Sequence, residues 1–128
     1  MLKIETGIDL VDIVRLGNLE SSIKQRFLKR VFTEREIIGC GDRDDHLSGI
    51  FAAKEAAAKA LGTGIGVIKW HDLEIISDEN GKPVLRLNGE AERISRKNGW
   101  LSWSVSITHT DTVAAAVVTA LLEVPAAK

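Results

Sequence analysis

The segment FAAKEAAAKALG, residues 51–62, decides the fold of this chain. It is rich in alanine, which has the highest helix propensity, and it ends in glycine, the residue most often found just past a helix C-terminus. Large apolar residues recur at helical spacing in and before it, at Leu47, Ile50, Phe51 and Leu61. The pattern predicts a long helix that stops at Gly62 and packs by its apolar face.

Strand patterns lie at the two ends of the chain. The apolar residues of the opening segment share one parity, which predicts a half-buried strand: Leu2, Ile4, Ile8 and Leu10. Residues 101–107 alternate large apolar side chains with serine, and residues 113–119 are apolar nearly throughout, as in a strand covered on both faces. A turn separates these last two segments, so we expect them to pair antiparallel.

A hairpin and a helix are predicted between the long helix and these strands. Two short apolar runs, residues 73–76 and 84–87, flank the segment DENGKP at residues 78–83, which is a strong turn signal. Asn88 then has the residue type of a helix N-cap, and the helix it begins would run to about Asn98.

The segment before the long helix predicts two shorter helices. Residues 19–31 have apolar residues at four-residue spacing and a basic opposite face. Thr33 and Glu36 have the spacing of a capping box, so a second helix begins there and ends near residues 39–41, before a polar loop at residues 42–46. This order of elements predicts an α+β fold, helices packed on a mainly antiparallel sheet, with residues 1–128 forming one domain.

Composition excludes several classes of function. The formal net charge of -1 argues against a globally basic protein that binds nucleic acid. Cys40 is the only cysteine, so neither a disulfide framework nor a cysteine-rich zinc site is expected, which suits a reducing cytoplasm. No apolar stretch approaches the length that spans a bilayer, so we expect no membrane association.

Four features carry candidate chemistry, and each also has an ordinary structural explanation. Glu55 and Lys59 lie four residues apart on one helix face, a spacing that is most often a surface ion pair. Asp9 is a carboxylate in a predicted strand, where it needs solvent or a partner. Gly62 is enough to end the helix, so the additional Gly64 would let a ligand approach the backbone closely. His109 lies in a turn, where a side chain is ordinarily exposed and has no special role.

In combination and in this order, these features resemble the holo-[acyl-carrier-protein] synthases over nearly the whole chain. The matching blocks are Gly7-Ile8-Asp9 with Arg15, Arg26-Phe27 with Arg30, Phe32-Thr33, residues 51–60, Gly62-Thr63-Gly64, Asn80-Gly81-Lys82-Pro83 and Ser106-Ile107-Thr108-His109. The resemblance implies transfer of the 4'-phosphopantetheine group of coenzyme A to a serine of apo acyl carrier protein, with release of 3',5'-ADP, in fatty acid biosynthesis.

The resemblance also implies the catalytic residues, which are Asp9, Glu55 and Lys59. The two carboxylates would share one Mg²⁺, and Mn²⁺ fits the same donors. Lys59 would add positive charge beside the phosphate and could protonate the leaving group. Either Glu55 or a water molecule beside the cation would accept the serine proton.

Three further groups of residues are implied by the same resemblance. Coenzyme A would contact Lys59, Gly62, Thr63, Gly64, Lys82, Pro83, Thr108 and His109. The acidic carrier protein would dock on Arg15, Arg26, Phe27 and Arg30. In the family the active site lies between subunits of a trimer, so a homotrimer with inter-subunit sites is expected, with Trp70, Trp100 and Trp103 available either to that interface or to the core.

One departure from the family pattern leaves alternatives open. The family usually has a basic residue just before its Phe-Ala-Ala-Lys-Glu block, where this chain has Ile50. A phosphate contact would then be missing, as would fit a weaker affinity for coenzyme A or an inactive homologue. Other readings of the sequence are a phosphopantetheinyl transferase for a polyketide or peptide-synthesis carrier, and a non-enzymatic module that binds acidic partners.

Overall fold

A computed structural model describes residues 1–126 of the chain. Its strands are β1 (Leu2–Asp12), β2 (Leu73–Ser77), β3 (Pro83–Leu87), β4 (Trp100–His109) and β5 (Val113–Glu123). Its α-helices are α1 (Ile13–Gly17), α2 (Ser21–Val31), α3 (Glu34–Cys40), α4 (Asp44–Leu61) and α5 (Gly89–Lys97), and a single 3-10 turn, Trp70–Asp72, precedes β2. The predicted α+β class is confirmed.

Two antiparallel sheets carry the strands. The larger has the order β1-β5-β4, and the smaller is the hairpin of β2 and β3. In the larger sheet Asp9 of β1 lies opposite Ala116 of β5, and Ile107 of β4 lies opposite the same residue from the other side. The expected pairing of the last two strands and the expected hairpin are both confirmed.

Small residues let α4 lie close against the larger sheet. Ala52, Ala53, Ala56 and Ala57 of α4 are fully buried. On the sheet side, a Cβ atom at Gly7 would lie only 1.9 Å from the carbonyl oxygen of Ala56, which no real side chain tolerates. The glycine and the alanines together therefore bring β1 and α4 into near-backbone contact, and this contact fixes the position of the residues beside Gly7.

A second core joins α1, α2 and α3 to the first half of α4. It is formed by Leu16, Val31, Phe32, Cys40 and Leu47. The capping box at the start of α3 is present, since the Thr33 side chain accepts a hydrogen bond from the Glu36 backbone and the Glu36 side chain accepts one from the Thr33 backbone. That sequence-based prediction is confirmed.

The larger sheet corrects two sequence-based predictions. The apolar parity of β1 faces outward: Leu2, Ile4, Ile8 and Leu10 are 62–69% exposed. The prediction of a half-buried strand with these residues inside was wrong about the face, because Gly7 and its parity are the ones that pack on α4. Likewise β5 is buried on one face only, at alternate residues from Ala114 to Leu122. One face of this sheet is therefore open and largely apolar.

Several local predictions also change. Residues 44–46 form the first turn of α4 and not a loop, because Asp44 and Asp45 are favourable at a helix N-terminus. The short helix α1 was not predicted. Trp100 and Trp103 pack against each other within the main core, and Trp70 packs on Phe51, so the tryptophans do not form the open face. No helix within residues 1–126 is long and apolar enough to cross a membrane.

Candidate functional site

The site begins where β1 crosses α4. Gly7 brings the two backbones together, and Asp9, two residues later, projects from the same side of the strand toward the helix. The Lys59 ammonium of α4 donates hydrogen bonds to the Ile8 carbonyl oxygen at 2.9 Å and to Asp9 Oδ1 at 3.1 Å. Asp9 and Lys59 are thus joined directly, although fifty positions separate them in sequence.

Glu55 is the third member of this group. It lies one helical turn before Lys59, on the same face of α4. The pKa of Glu55 is raised above its ordinary value, first by burial and second by the negative charge of Asp9, while the ammonium of Lys59 acts in the opposite direction. Asp9 and Glu55 are therefore close enough to repel each other, and Lys59 offsets only part of that repulsion.

The two carboxylates suit a hard divalent cation. No cluster of three or more His, Cys, Asp or Glu side chains placed to hold a metal occurs within residues 1–126. Asp9 and Glu55 alone supply two oxygen donors, which fits a cation such as Mg²⁺ that keeps several waters and takes further oxygens from a phosphate. A cation between them would also relieve the repulsion that raises the Glu55 pKa.

A cavity of about 520 Å³ opens beside Asp9 and Glu55. Arg15 of α1 and Phe27 of α2 also line it, so the structure brings these two carrier-docking candidates next to the carboxylates. Arg26 and Arg30 are exposed on the outer side of α2. The four residues therefore mark a continuous region that runs from the cavity onto a basic helix.

The residues expected to contact coenzyme A do not form one group within a single chain. Pro83 and His109 of that set line a second cavity, also of about 520 Å³, together with Gly81, His46 and Ile50. The structure thus brings part of the expected set together at the first half of α4.

The glycine-rich part of the set lies at the other end of α4, whereas Lys82 and Thr108 directly precede Pro83 and His109. Gly62, Thr63 and Gly64 follow the C-terminus of α4, where Gly62 adopts the left-handed conformation and donates to the Ala58 and Lys59 carbonyl oxygens. Lys82 is exposed in the hairpin turn, and Thr108 projects from the open face of β4. The expected contacts are therefore divided between the two ends of α4.

His109 has a defined setting in the second cavity. Its Nε2 atom lies 3.8 Å from Asp45 Oδ2, and its Nδ1 atom lies 3.2 Å from the Thr110 carbonyl oxygen. Asp45 is also hydrogen-bonded to Arg43, whose guanidinium lowers the pKa of that carboxyl group to about 2. His46 stacks at the edge of His109, with ring centroids 6.3 Å apart. Sequence reasoning singled out His109 but not His46.

Lys54 has a structural role that sequence reasoning missed. Its ammonium is fully buried and lies 2.7 Å from Glu36 Oε1, and it donates to the carbonyl oxygens of Val31 at 2.7 Å and Trp70 at 3.2 Å. Burial lowers the pKa of Lys54, against the effect of Glu36. The available signal was its spacing, since Lys54 falls on the same helical stripe as Leu47, Phe51 and Ala58.

Comparisons with known proteins identify the family of this chain. Residues 5–118 match a family model described as the 4'-phosphopantetheinyl transferase superfamily. A holo-[acyl-carrier-protein] synthase of Herpetosiphon aurantiacus is 42% identical over 120 residues, covering 88% of this chain and 94% of that protein.

Solved structures are similar over most of the chain as well. The holo-[acyl-carrier-protein] synthase of Helicobacter pylori in complex with coenzyme A is 34% identical and has a TM-score of 0.81, covering 90% of this chain and 98% of that one. A holo-(acyl-carrier-protein) synthase from Bacillus anthracis in complex with CoA (3',5'-ADP) is 28% identical and has a TM-score of 0.76, covering 96% of this chain and 100% of that one.

Proposed function

Since the chain belongs to the 4'-phosphopantetheinyl transferase superfamily, we propose that it is a holo-[acyl-carrier-protein] synthase. It transfers the 4'-phosphopantetheine group from coenzyme A to a serine of apo acyl carrier protein, giving the holo carrier protein and 3',5'-ADP, in fatty acid biosynthesis. One observation carries the proposal: β1 and α4 bring Asp9, Glu55 and Lys59 together, and the two carboxylates line a cavity. The whole of residues 1–128 serves as one transferase domain.

Asp9 and Glu55 are the proposed ligands of a Mg²⁺ ion, with Mn²⁺ as an alternative. When bound, the cation neutralises charge on the pyrophosphate of coenzyme A, which makes the phosphorus more open to attack. The donor set supports this assignment because Asp9 of β1 and Glu55 of α4, two carboxylates from separate elements, line one cavity. Glu55 must be ionised to act as a ligand, so the upward direction of its pKa shift opposes cation binding at low pH.

Lys59 is the proposed positive charge at the reacting phosphate. The Ile8 carbonyl oxygen and Asp9 fix two of its ammonium hydrogens, which leaves a third directed elsewhere. In the transfer the serine oxygen forms a bond to the pantetheine-side phosphorus, and the bond from that phosphorus to the bridging oxygen breaks. The leaving 3',5'-ADP gains negative charge that Lys59 stabilises, and the serine proton passes to Glu55 or to water.

A homotrimer with active sites between subunits is proposed from two observations. The first is the apolar open face of β1, with four large aliphatic side chains exposed, which a soluble chain does not leave uncovered without cause. The second is the division of the coenzyme A contacts between the two ends of α4. In the trimer one subunit supplies Asp9, Glu55, Lys59, Gly62, Thr63 and Gly64, and its neighbour supplies Lys82, Pro83, Thr108 and His109.

The carrier protein is proposed to dock beside the first cavity. Arg15, Arg26 and Arg30 are exposed and basic in a chain of net charge -1, and Arg15 and Phe27 line the same cavity as the carboxylates. A basic patch on a slightly acidic protein favours an acidic partner by steering its approach. Because coenzyme A and the carrier are intracellular substrates, we place the reaction in the cytoplasm.

Mass spectrometry tests the proposed function. An apo acyl carrier protein is incubated with this protein, coenzyme A and Mg²⁺, and the carrier is expected to gain the mass of one phosphopantetheine group. Omitting the metal and adding a chelator is expected to prevent the gain, and apo carriers of polyketide and peptide synthesis measure acceptor range. If no carrier gains mass, the chain is not a transferase, and the loss of the basic residue at Ile50 becomes the first explanation to examine.

Mixing two variants tests the inter-subunit site. At each proposed site one subunit supplies Asp9 and its neighbour supplies His109. Asp9→Asn and His109→Ala therefore damage different subunits' contributions to the same site. Each variant alone is expected to have low activity, whereas co-refolded mixtures regain part of it because some interfaces then contain both intact halves. A mixture that stays as inactive as the separate variants contradicts the shared site.

A further inference from the structure

The residue directly before Glu55 carries the most deeply buried charge of α4. The Lys54 side chain is fully buried, and its ammonium lies 2.7 Å from Glu36 Oε1 of α3. It also donates hydrogen bonds to the carbonyl oxygens of Val31, at the end of α2, and of Trp70, in the 3-10 turn. A buried ammonium with a partner for each of its hydrogens is held in one place, because moving it leaves a buried charge uncompensated.

The other member of this ion pair is fixed as well. Glu36 is 2% exposed, and its carboxylate accepts hydrogen bonds from the backbone amides of Thr33, at the start of α3, and of Ile75, in β2. Both distances are 2.8 Å. The pair therefore fastens α4, at the residue before Glu55, to α3 and β2, neither of which carries a proposed ligand of the cation.

The two sides of α4 fix its rotation about the helix axis to different degrees. The side on the larger sheet is built from small residues: Gly49, Ala52, Ala53, Ala56 and Ala57. Such residues let backbones approach closely, but they form low ridges that interlock weakly with a neighbouring surface. The opposite side carries Leu47 and Phe51, which pack in the second core, and then Lys54. Lys54 is therefore the next point at which α4 is held from that side.

Rotation of α4 controls the position of Glu55 relative to Asp9. Glu55 follows Lys54 by one residue, so its side chain points about 100° farther around the helix, whereas Asp9 reaches the site from β1. A side-chain carboxylate lies roughly 6 Å from the helix axis, so a rotation of about 10° moves it by roughly 1 Å. Mg²⁺ demands near-ideal octahedral geometry, and a displacement of about 1 Å at a reacting centre can cost about 10²-fold in rate.

We propose that Lys54 is a positioning residue for the cation site, and that its ion pair with Glu36 sets the rotation of α4 and so the place of Glu55 beside Asp9. The inference rests on the proposed function, in which these two carboxylates hold the cation. A purely stabilising role of Lys54 would leave cation affinity unchanged in any variant that folds. A positioning role lowers that affinity even in a folded variant, although Lys54 touches neither the cation nor the substrates.

Titration of the ligand-free protein with Mn²⁺ tests the inference, with the free ion measured by electron paramagnetic resonance. Lys54→Met alone leaves a buried carboxylate uncompensated and can fail to fold, so the test uses Lys54→Met/Glu36→Gln, which removes both charges. Circular dichroism confirms that the double variant is folded. Its Mn²⁺ dissociation constant is expected to rise about 10- to 100-fold, the usual loss when a residue that orients a metal ligand is removed.

Leu85→Ala is the matched control for loss of stability. Leu85 is 4% exposed and belongs to the main core, but it lies in β3, which carries no part of the cation site. Removing its side chain leaves a cavity and destabilises the fold. Leu85→Ala is nevertheless expected to bind Mn²⁺ as the wild type does. In the transfer reaction, the Mg²⁺ concentration that gives half the maximal rate is expected to rise in the double variant and not in the control.

Two results would overturn the inference and leave the proposed function intact. A folded double variant with the Mn²⁺ affinity of the wild type would show that the buried pair only stabilises the chain. Equal weakening by Leu85→Ala would assign the effect to a general loosening of the core. A wild type that transfers the group without binding Mn²⁺ would remove the cation site and this inference together, whereas one that neither binds Mn²⁺ nor transfers the group ends both proposals.

Discussion

Two carboxylate–lysine pairs lie on different faces of α4, and they differ in almost every physical respect. Lys54 and Glu36 are both fully buried, with Nζ and Oε1 2.7 Å apart. Lys59 and Asp9 are 3.1 Å apart, and their side chains are 54% and 20% exposed. The lysines are only five residues apart in sequence, yet about 140° apart around the helix.

The partners of each pair explain the difference. Glu36 also accepts hydrogen bonds from the backbone amides of Thr33 and Ile75, and Lys54 also donates to Val31 and Trp70. The buried pair therefore ties α2, α3 and β2 to α4. All three ammonium hydrogens of Lys54 have partners, so none is left for a ligand. The Asp9 pair faces water beside Glu55, so its contacts can be exchanged for a cation and a phosphate. The buried pair holds the helix in place, and the exposed pair is available for chemistry.

Breaking the buried pair is expected to have the largest effect. Lys54→Met leaves the Glu36 carboxylate buried without its cation, which costs about 3–5 kcal/mol in the free energy of unfolding. Lys59→Met is the matched control on the same helix and is expected to cost less than about 1 kcal/mol, because the Lys59 side chain is 54% exposed and Asp9 keeps some contact with water. Urea denaturation measures both.

The double variant Lys54→Met/Glu36→Gln sharpens this test. Removing both charges leaves no uncompensated carboxylate, so part of the lost stability is expected to return. If Lys54→Met and Lys59→Met lowered the free energy of unfolding equally, the buried pair would not be the one that stabilises the fold.

Removing either carboxylate of the exposed group is expected to lower the transfer rate by about 10²–10³-fold, the usual loss when charge stabilisation of a transition state is removed. Asp9→Asn breaks an ion pair whose lysine is 54% exposed, and Glu55→Gln removes a charge that burial already disfavours. Both variants are therefore expected to fold. Initial rates by carrier mass shift measure the loss, with Glu5→Gln, elsewhere on β1, as control. Unaltered rates in both variants would refute the metal assignment.

The pKa of Glu55 gives a measurement that needs no substrate. Carboxyl carbon NMR of the ligand-free protein is expected to show it above the ordinary value of 4.5. Asp9→Asn should lower it by removing a like charge, and Lys59→Met should raise it by removing an opposite one. Added Mg²⁺ should also lower the pKa of Glu55, as Asp9→Asn does. Shifts of the opposite sign would mean that the two carboxylates do not share a site.

The sign of the pH dependence follows from the same shift. A raised pKa means that the fold disfavours ionised Glu55, so this group favours the ligand-free fold most below pH 4.5. That contribution disappears as the pH rises from 4.5 through the raised pKa. Binding of the proposed cation requires the ionised form and is therefore expected to strengthen over the same interval. Glu55→Gln is expected to abolish both dependences.

Sequence patterns were most informative where the signal is local. The alanine-rich helix, its stop at Gly62 and the capping box of Thr33 and Glu36 depend on neighbouring residues only, and all three are confirmed. The first strand shows the limit of such patterns. The alternation of apolar residues along this strand can be read from the sequence. Which of its two faces packs on α4 depends on the close approach at Gly7 and on what covers the other face.

The candidate site was less accessible to sequence analysis alone. Glu55 and Lys59 at four-residue spacing indicate only an ion pair, and their proximity to Asp9 requires the packing of β1 on α4. The prediction that Asp9, Glu55 and Lys59 form one site came from the family resemblance and not from their spacing. No role was predicted for Lys54, because two adjacent charged residues in a helix do not reveal which of them faces inward.

The smallest predicted effect concerns the surface that the exposed pair adjoins. Arg15→Ala is expected to raise the KM for the carrier protein several-fold and to leave kcat nearly unchanged, because an exposed arginine steers and holds an acidic partner without touching the reacting phosphate. The effect should shrink as salt is added, since exposed charges are screened. Lys3→Ala, an exposed cation on β1, is the control. A fall in kcat with an unchanged carrier KM would place Arg15 at the phosphate, and the docking surface would then begin farther along α2, at Arg26 and Arg30.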